Sequence, residues 1–191
     1  MFDLEQAKKS FFNWIESFLE QKIYAIVATD VKGGIGLENK LLFKSRKDLS
    51  NFKNLTVGNI VIMGRKTFDS IFDYIESALP DRVNIVITSK KQEMENKFRF
   101  DNLFFVESKE EAIALSKEFY FKDIFVIGGG SVYELFKEDF DGVFLTVCDF
   151  EFKADTFFDL EYCFSNFDVF FNFKFSDNGL NFSFKELVRK E

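Results

Sequence analysis

The chain is 191 residues long, 47% hydrophobic and 30% charged, which is the composition of a folded globular protein and not of a disordered one. Acidic residues outnumber basic ones 32 to 25, a net charge of −7, so it carries no basic footprint for nucleic acid or an anionic membrane. Histidine is absent, which excludes Ser-His-Asp triads, imidazole bases and His-containing zinc sites and leaves proton chemistry to a carboxylate, Tyr, Lys, Cys or water.

Cys148 and Cys163 are too few and too isolated for a disulfide framework or a metal site. No apolar run approaches the roughly 18 residues of a membrane span. The first residues mix Asp3, Glu5 and Glu16 with Lys8 and Lys9, unlike a signal peptide. A cytoplasmic protein with no metal is expected. The thirty phenylalanines are assigned mostly to the core.

Residues 2–21 place Phe11, Trp14, Ile15, Phe18 and Leu19 at helical spacing between charges, which predicts an amphipathic N-terminal helix. Residues 1–22 thus read as an extension ahead of a single domain over 23–191. Ile23–Thr29 has the continuous apolar run of a strand buried on both faces. A loop with Gly33, Gly34 and Gly36 runs to Lys44, and a helix starts at Ser45, where Ser45-x-x-Asp48 has the form of a capping box. Asn59–Met63 is a second strand, stopped by Gly64, with a helix starting at once at Arg65 and running through Ile71. Leu79-Pro80 leads into a strand over Arg82–Thr88, and the polar stretch Lys90–Asn102 reads as a surface loop.

A strand over Leu103–Val106 comes next, then a helix capped by Ser108-x-x-Glu111 and running to about Glu118. The strand Asp123–Ile127 stops at Gly128-Gly129-Gly130, the helix Ser131–Lys137 follows, and Val143–Val147 is another strand. In the last stretch Phe171, Phe173 and Phe175 alternate with Asn172 and Lys174, Asp177-Asn178-Gly179 makes a turn, and Phe182 and Phe184 alternate with Ser183 and Lys185. The fold class is therefore α/β, a central, mostly parallel mixed sheet with helices on both faces and a C-terminal antiparallel hairpin.

Twice an apolar strand stops at glycine and a helix begins immediately, at Gly64-Arg65-Lys66-Thr67 and at Gly128-Gly129-Gly130-Ser131. Free N–H groups and the positive end of such a helix favour phosphate, and ligands collect at the carboxyl ends of parallel strands. One glycine turn alone is ordinary punctuation. Two of them, with Arg65, Lys66 and Thr67 alongside, point to a dinucleotide. Neither is a G-x-G-x-x-G fingerprint, so a standard Rossmann site is not supported. Asp48 has two readings that both stand at this point: a first-turn acid that suits the helix dipole, or the polar anchor of a small-molecule site on the side that also carries Phe52.

Six segments, in order and spacing, resemble dihydrofolate reductase from Ile23 to the end: Ile35-Gly36-Leu37-Glu38-Asn39, Asp48-Leu49-x-x-Phe52-Lys53, Val61 to Ile71 around Met63-Gly64-Arg65-Lys66-Thr67-Phe68, Leu79-Pro80-x-Arg82-x-Asn84, Val126 to Tyr133 around the three glycines, and Leu145-Thr146. The resemblance implies reduction of 7,8-dihydrofolate to tetrahydrofolate, with hydride passing from NADPH to C6 and a proton to N5. It makes Asp48 the acid of the pterin pocket, whose two oxygens suit the adjacent N–H donors of a 2-amino-4-oxopyrimidine edge. Thr146 would bond Asp48, and Tyr133 would lie near the nicotinamide and share the catalytic site. Ile26, Val27, Leu49 and Phe52, with Ile71, Leu79 and Ile127, would wall the substrate, and Arg82 would clamp its glutamate α-carboxylate with a rigid fork.

On the cofactor side the resemblance implies Ala28, Gly36 and Tyr133 at the nicotinamide end, with Ile35 and Asn39 in the loop above. Thr67 and the Gly129 and Gly130 amides would face the pyrophosphate, with Gly64, Ile127, Gly128 and Val132 around them. Arg65, Lys66, Thr88, Ser89 and Ser131 would lie toward the adenosine 2′-phosphate, which distinguishes NADPH from NADH. Gly128-Gly129 resembles the family's cis peptide. The implied partners are dihydrofolate and antifolates such as methotrexate, with no nucleic acid, no membrane and a monomeric state. No fused thymidylate synthase is expected, since nothing follows the hairpin.

The sequence departs from the family pattern in places. Leu42-Phe43 stands where Pro-Trp is usual, so an indole N–H donor is missing. Ser131 replaces a common arginine, Asn51 replaces a bulkier residue, and the segment between Ile71 and Leu79 is long. Two competing readings are the pyrimidine reductase of riboflavin synthesis and a catalytically silent nucleotide-binding relative. The joint presence of Asp48, Phe52, Arg82 and Thr146 disfavours the first, and the intact Asp48 disfavours the second.

Overall fold

The computed structural model describes residues 20–120 and 122–191. The N-terminal helix expected around Phe11, Trp14, Ile15, Phe18 and Leu19 lies outside the described residues. Among them, β1 (Ile23–Thr29), β3 (Ile60–Gly64), β4 (Val83–Ile87), β5 (Leu103–Val106) and β6 (Ile124–Gly128) are parallel strands. β7 (Gly142–Cys148) runs parallel to β1, and the long hairpin β9 (Phe167–Asp177) and β10 (Leu180–Arg189) adds an antiparallel edge. The sheet order is β5-β4-β3-β6-β1-β7-β10-β9, and a separate short ladder joins β2 (Gly34–Gly36) to β8 (Thr156–Phe157).

Helices cover both faces because the central strands are buried on both. On one face, Ile26, Val61, Met63 and Val86 pack under α1 (Arg46–Thr56), α2 (Arg65–Ile75) and α3 (Lys91–Lys97), with Phe68 of α2 fully enclosed. On the other, Ala25, Val27, Ile62 and Leu145 pack under α4 (Lys109–Ser116), α5 (Gly130–Phe136) and α6 (Leu160–Asn166) through Ala112, Phe136 and Cys163. Strand alternation sends Ile26 to the first face and Val27 to the second. Among the described residues no helix is long and apolar enough to cross a membrane.

Several expectations are corrected. Lys90–Asn102 is not simply a surface loop: it contains α3, held down by buried Met94 and by Phe98 just past its end, with the Phe98 ring edge-on to Phe68 at 5.0 Å. Two apolar anchors in a lysine- and glutamate-rich stretch were too sparse to show periodicity. α2 continues beyond Ile71 to Ile75, where Glu76 closes it in the left-handed region at φ 54°. α1 begins at Arg46, with Ser45 as its N-cap. α6 and β8 were not foreseen; α6 is opened by the Asp159 carboxylate accepting the Tyr162 N–H at 2.8 Å. Most of the described phenylalanines are buried or half-buried as expected, but Phe150, Phe157, Phe164, Phe170, Phe171 and Phe173 are exposed. The last three lie on β9, the edge strand of the sheet among the described residues.

Candidate active site

Asp48 sits in the first turn of α1, where the Ser45 hydroxyl accepts its backbone N–H at 3.2 Å. The Asp48 carboxylate does not make the return half of a capping box, and Asp177, from the far end of the hairpin, accepts the Ser45 O–H at 2.7 Å. The Asp48 carboxylate therefore stays free of its own helix and faces the sheet. Burial pushes its pKa above the ordinary carboxylate value, and a hydrogen bond with the Thr146 side chain pulls the other way. Thr146 is buried on β7 opposite Ala28 of β1, so strand pairing brings loop, helix and sheet to one point.

Tyr133 enters from α5. Its hydroxyl donates to the Ile26 carbonyl at 2.7 Å, and its ring lies edge-on to Phe158 at 5.2 Å. Burial, with the nearby Asp48 charge, raises its pKa far beyond the usual phenol value, so it remains a neutral donor. A side chain on Gly128, at φ 112°, would meet the Tyr133 ring at 3.2 Å. Only a glycine fits there, on both backbone and steric grounds. The Gly128-Gly129 peptide is cis.

The two glycine turns lie side by side because β3 and β6 are paired, with Met63 opposite Gly128. Gly64 and Gly129 are the N-caps of α2 and α5, and neither helix start has a side-chain cap. Their backbone N–H groups are thus open to an anion. A Cβ on Gly64 would reach Val132 at 3.0 Å, and one on Gly129 would lie 3.5 Å from the Thr67 hydroxyl. This is a narrow, glycine-floored cradle with a hydroxyl beside it, and it fits a pyrophosphate. Beyond it, Lys66, Ser89 and Ser131 are exposed, while Thr88 is buried and accepts the Lys90 N–H at 3.1 Å. The expected phosphate arginine, Arg65, is bent along α2 onto Asp69 at 2.6 Å.

Of the expected wall residues, Ile26 and Leu79 are buried, and Phe52, Ile71 and Ile127 are half-buried against the same core. Leu49 is 44% exposed, at the rim rather than in the wall. The Val27 side chain packs in the core on the opposite face of the sheet from Ile26. Arg82 is held by Nε to the Pro80 carbonyl at 2.9 Å and Nη1 to the Thr56 hydroxyl at 3.0 Å, with its guanidinium 5.8 Å from the Phe52 ring centroid. Among the described residues its Nη2 has no bond and is not shut away from solvent. Burial pulls its pKa below the ordinary value, with the Asp81 charge opposing.

Three supports escaped the sequence reading. Asn84, a polar residue inside the run Val83–Ile87, accepts the Leu79 N–H at 3.1 Å and donates to the Leu79 and Arg82 carbonyls at 2.9 and 3.1 Å. It fixes the turn that carries both. Its signal was visible: an amide in a buried strand needs partners. Asp155 accepts the Glu38 N–H at 2.8 Å and donates its own N–H to Gly36 at 3.0 Å. Buried Asp30 accepts the Lys32, Gly34 and Phe152 amides at 2.8, 2.8 and 2.9 Å. Together they clamp the loop bearing Ile35 and Gly36 onto the segment after β7; Asn39 is exposed on it at φ 60°. Phe43, in the place of the missing indole, packs its ring 5.4 Å from Phe182 and 5.8 Å from Phe152.

A sequence model of the dihydrofolate reductase family matches residues 22–189. A bifunctional dihydrofolate reductase-thymidylate synthase of Paramecium tetraurelia is 35% identical over 169 residues, which cover 86% of this chain and 34% of that protein. The dihydrofolate reductase of Staphylococcus haemolyticus is 36% identical over 142 residues, 74% of this chain and 78% of its own. Among solved structures, dihydrofolate reductase from Enterococcus faecalis, complexed with NADP(H) and RAB-propyl, superposes with a TM-score of 0.74 at 26% identity, covering 89% of this chain and 97% of that one.

Proposed function

The chain belongs to the dihydrofolate reductase family, and from that premise we propose that the cleft between α1 and the ends of β1 and β7 is where it reduces 7,8-dihydrofolate to tetrahydrofolate. The observation that carries this reading is Asp48, a first-turn carboxylate whose helix cap is made by Ser45 and Asp177 instead, and whose pKa burial raises and the Thr146 side chain opposes. Its two oxygens receive the two N–H donors of the pterin edge, a bidentate charge-assisted pairing. The ring whose N5 must be protonated then lies beside an acid whose pKa burial raises. Thr146 orients the carboxylate and Tyr133 keeps the neighbouring Ile26 carbonyl fixed.

NADPH, when bound, supplies the hydride that C6 accepts. The chain's part is to hold it. The Gly129 and Gly130 amides and the Thr67 hydroxyl take the pyrophosphate, and Ala28, Ile35, Gly36 and Tyr133 border the nicotinamide end. Lys66, Ser89 and Arg65 meet the 2′-phosphate, Arg65 on leaving Asp69. Ile26, Phe52, Ile71, Leu79 and Ile127 exclude water from the pterin, with Leu49 at the rim. The free Nη2 of Arg82 takes the glutamate α-carboxylate, and methotrexate-like antifolates share the Asp48 anchor.

In this reading residues 23–191 form the catalytic domain, residues 1–22 are an appendage, and the protein acts as a cytoplasmic monomer. Two free, buried cysteines suit a reducing compartment. The test is loss of nicotinamide absorbance when dihydrofolate is added with NADPH, and separately with NADH. Turnover with NADPH is expected. Absence of turnover with either nucleotide, in neutral and in mildly acidic buffer, would sink the reading.

A further inference from the structure

We infer that Asp177, at the tip of the β9–β10 hairpin, is a positioning residue for Asp48; the inference rests on the role given to Asp48 above. The start of a helix leaves several N–H groups without partners inside the helix. In α1 the only first-turn acid is Asp48 itself, and among the described residues its carboxylate makes no hydrogen bond back to the helix start. The vacancy is filled from a distant part of the chain. Asp177 Oδ2 accepts the Ser45 hydroxyl at 2.7 Å and the Lys47 N–H at 3.3 Å, and the same Ser45 oxygen accepts the Asp48 N–H at 3.2 Å. Two hydrogen bonds in series therefore separate the Asp177 carboxylate from the backbone of Asp48.

The grip involves more than one carboxylate. Lys47 Nζ donates to the Ser176 carbonyl at 3.0 Å and stands 5.8 Å from the Phe175 ring centroid, while Asn178 Nδ2 donates to the Lys44 carbonyl at 3.2 Å. Contacts thus fall on both sides of Ser45. The tip itself turns through Asn178 and Gly179, at φ 50° and 78°, a tight hairpin turn in which both residues adopt positive φ. The helix start and the Lys47 charge favour the anionic form of Asp177, and its pKa lies below the ordinary value through bonds from Ser45 and the Lys47 and Arg46 amides. Facing Asp48 itself are the Thr146 hydroxyl and the neutral Tyr133.

β10 pairs with β7, Phe184 opposite Thr146. One antiparallel edge therefore holds the acid from two ends: the side chain through Thr146, the backbone through Ser45 and Asp177. The glycine cradle for the dinucleotide lies elsewhere, at the ends of β3 and β6. Loss of the grip is therefore felt on the folate side and not on the nucleotide side.

The test uses the full chain with Asp177→Ala, Asp177→Asn and Ser45→Ala, measuring kcat, KM for each substrate, and Kd for a 2,4-diaminopyrimidine. With Asp177→Ala, KM for dihydrofolate and Kd for the diaminopyrimidine rise on the order of tenfold, the fold-change of one charge-assisted hydrogen bond, while KM for NADPH stays within about twofold. Asp177→Asn, which keeps an acceptor for the Ser45 hydroxyl, falls between. An inactive parent protein would defeat the assigned function and not this role. A folded Asp177→Ala protein with parental folate-side constants, or with equal rises for both substrates, would overturn the role. Should that variant not fold, Asp177→Asn and Ser45→Ala supply the same comparison with the same two overturning outcomes.

Discussion

The Tyr133 hydroxyl donates to the Ile26 carbonyl at 2.7 Å, a bond from α5 to the middle of β1, where neighbouring strands already compete for the backbone. It fixes the strand segment that carries Ile26 and Ala28, the latter paired with Thr146. Tyr133→Phe leaves that buried carbonyl oxygen one donor short. The expected cost is about 1–3 kcal/mol in denaturant unfolding, with a lower rate of hydride transfer. Parental stability in this variant would mean that water or the adjacent ladder replaces the donor.

Asp48→Asn should change activity and stability in opposite directions. The folded-state pKa of Asp48 is raised, so the folded protein binds this proton more tightly than the unfolded chain does. The carboxyl therefore costs no charge burial when protonated, and stability is lost as pH rises through the unfolded value near 3.8 to the folded pKa. At neutral pH the neutral amide removes that penalty, so the melting temperature should rise above the parent's, a gain that vanishes in acid. Turnover at neutral pH should fall by about 10²-fold or more, and by less in acid. A lower melting temperature at neutral pH would show that the carboxylate stabilises the fold instead.

The strands and glycine turns were legible in the sequence because burial on both faces writes itself as unbroken apolar runs, as in Ile60–Met63 and Ile124–Ile127. α3 and α6 were not, since seven-residue helices with one or two buried anchors carry no period. The site divided the same way. Asp48, Thr146 and Tyr133 were singled out by the family resemblance, and in the structure Asp48 acts on the titration of Tyr133 and Thr146 on that of Asp48. The bonds that aim them were not. Asp177 and Ser45 are 132 positions apart, and Arg65 turned to Asp69 because an i,i+4 partner is always within reach.

Arg82 offers a geometric rather than an electrostatic test. Its Nε and Nη1 are tied to Pro80 and Thr56, and the plane of the fork lies by Phe52, which leaves Nη2 to act at a fixed position. Arg82→Lys preserves charge but has neither fork nor anchors. KM for dihydrofolate should rise by about tenfold or more, with KM for NADPH unchanged. A truncated pterin lacking the glutamate should show no difference between parent and variant. If the two substrates lose equally, Arg82 supports the cleft and does not bind the carboxylate.

Asn84→Leu examines the support beneath it. The variant fills a similar volume but strands the Leu79 N–H and deprives the Leu79 and Arg82 carbonyls of a donor. Denaturant unfolding should show a loss of about 2–4 kcal/mol, from several unsatisfied buried groups. KM for dihydrofolate should rise with it, since the turn carrying Leu79 and Arg82 loosens. Unchanged stability would mean that Asn102, whose side chain donates to the same two carbonyls at 3.0 Å, is sufficient alone.

Acid should loosen the site's two surface tethers before it unfolds the core. Asp155 and Asp177 both have depressed folded pKa values, Asp155 through the Glu38 amide and Thr156 hydroxyl, Asp177 through Ser45 and the first amides of α1. For each, the stabilising effect is fully present above the unfolded value of 3.8 and is lost as pH falls through the still lower folded value. Asp48 contributes the opposite slope, over the separate range above 3.8, so a global melting curve mixes both when neutral and acid pH are compared. Amide hydrogen exchange resolves them: below about pH 4, protection at Glu38 and Lys47 should fall relative to that at Val126 in the central sheet, after correction for intrinsic rates. Asp155→Asn should reproduce the Glu38 change at neutral pH without the Lys47 change, because the two tethers share no hydrogen bond. Simultaneous loss at both positions in that variant would instead make the loop and the helix start one cooperative unit.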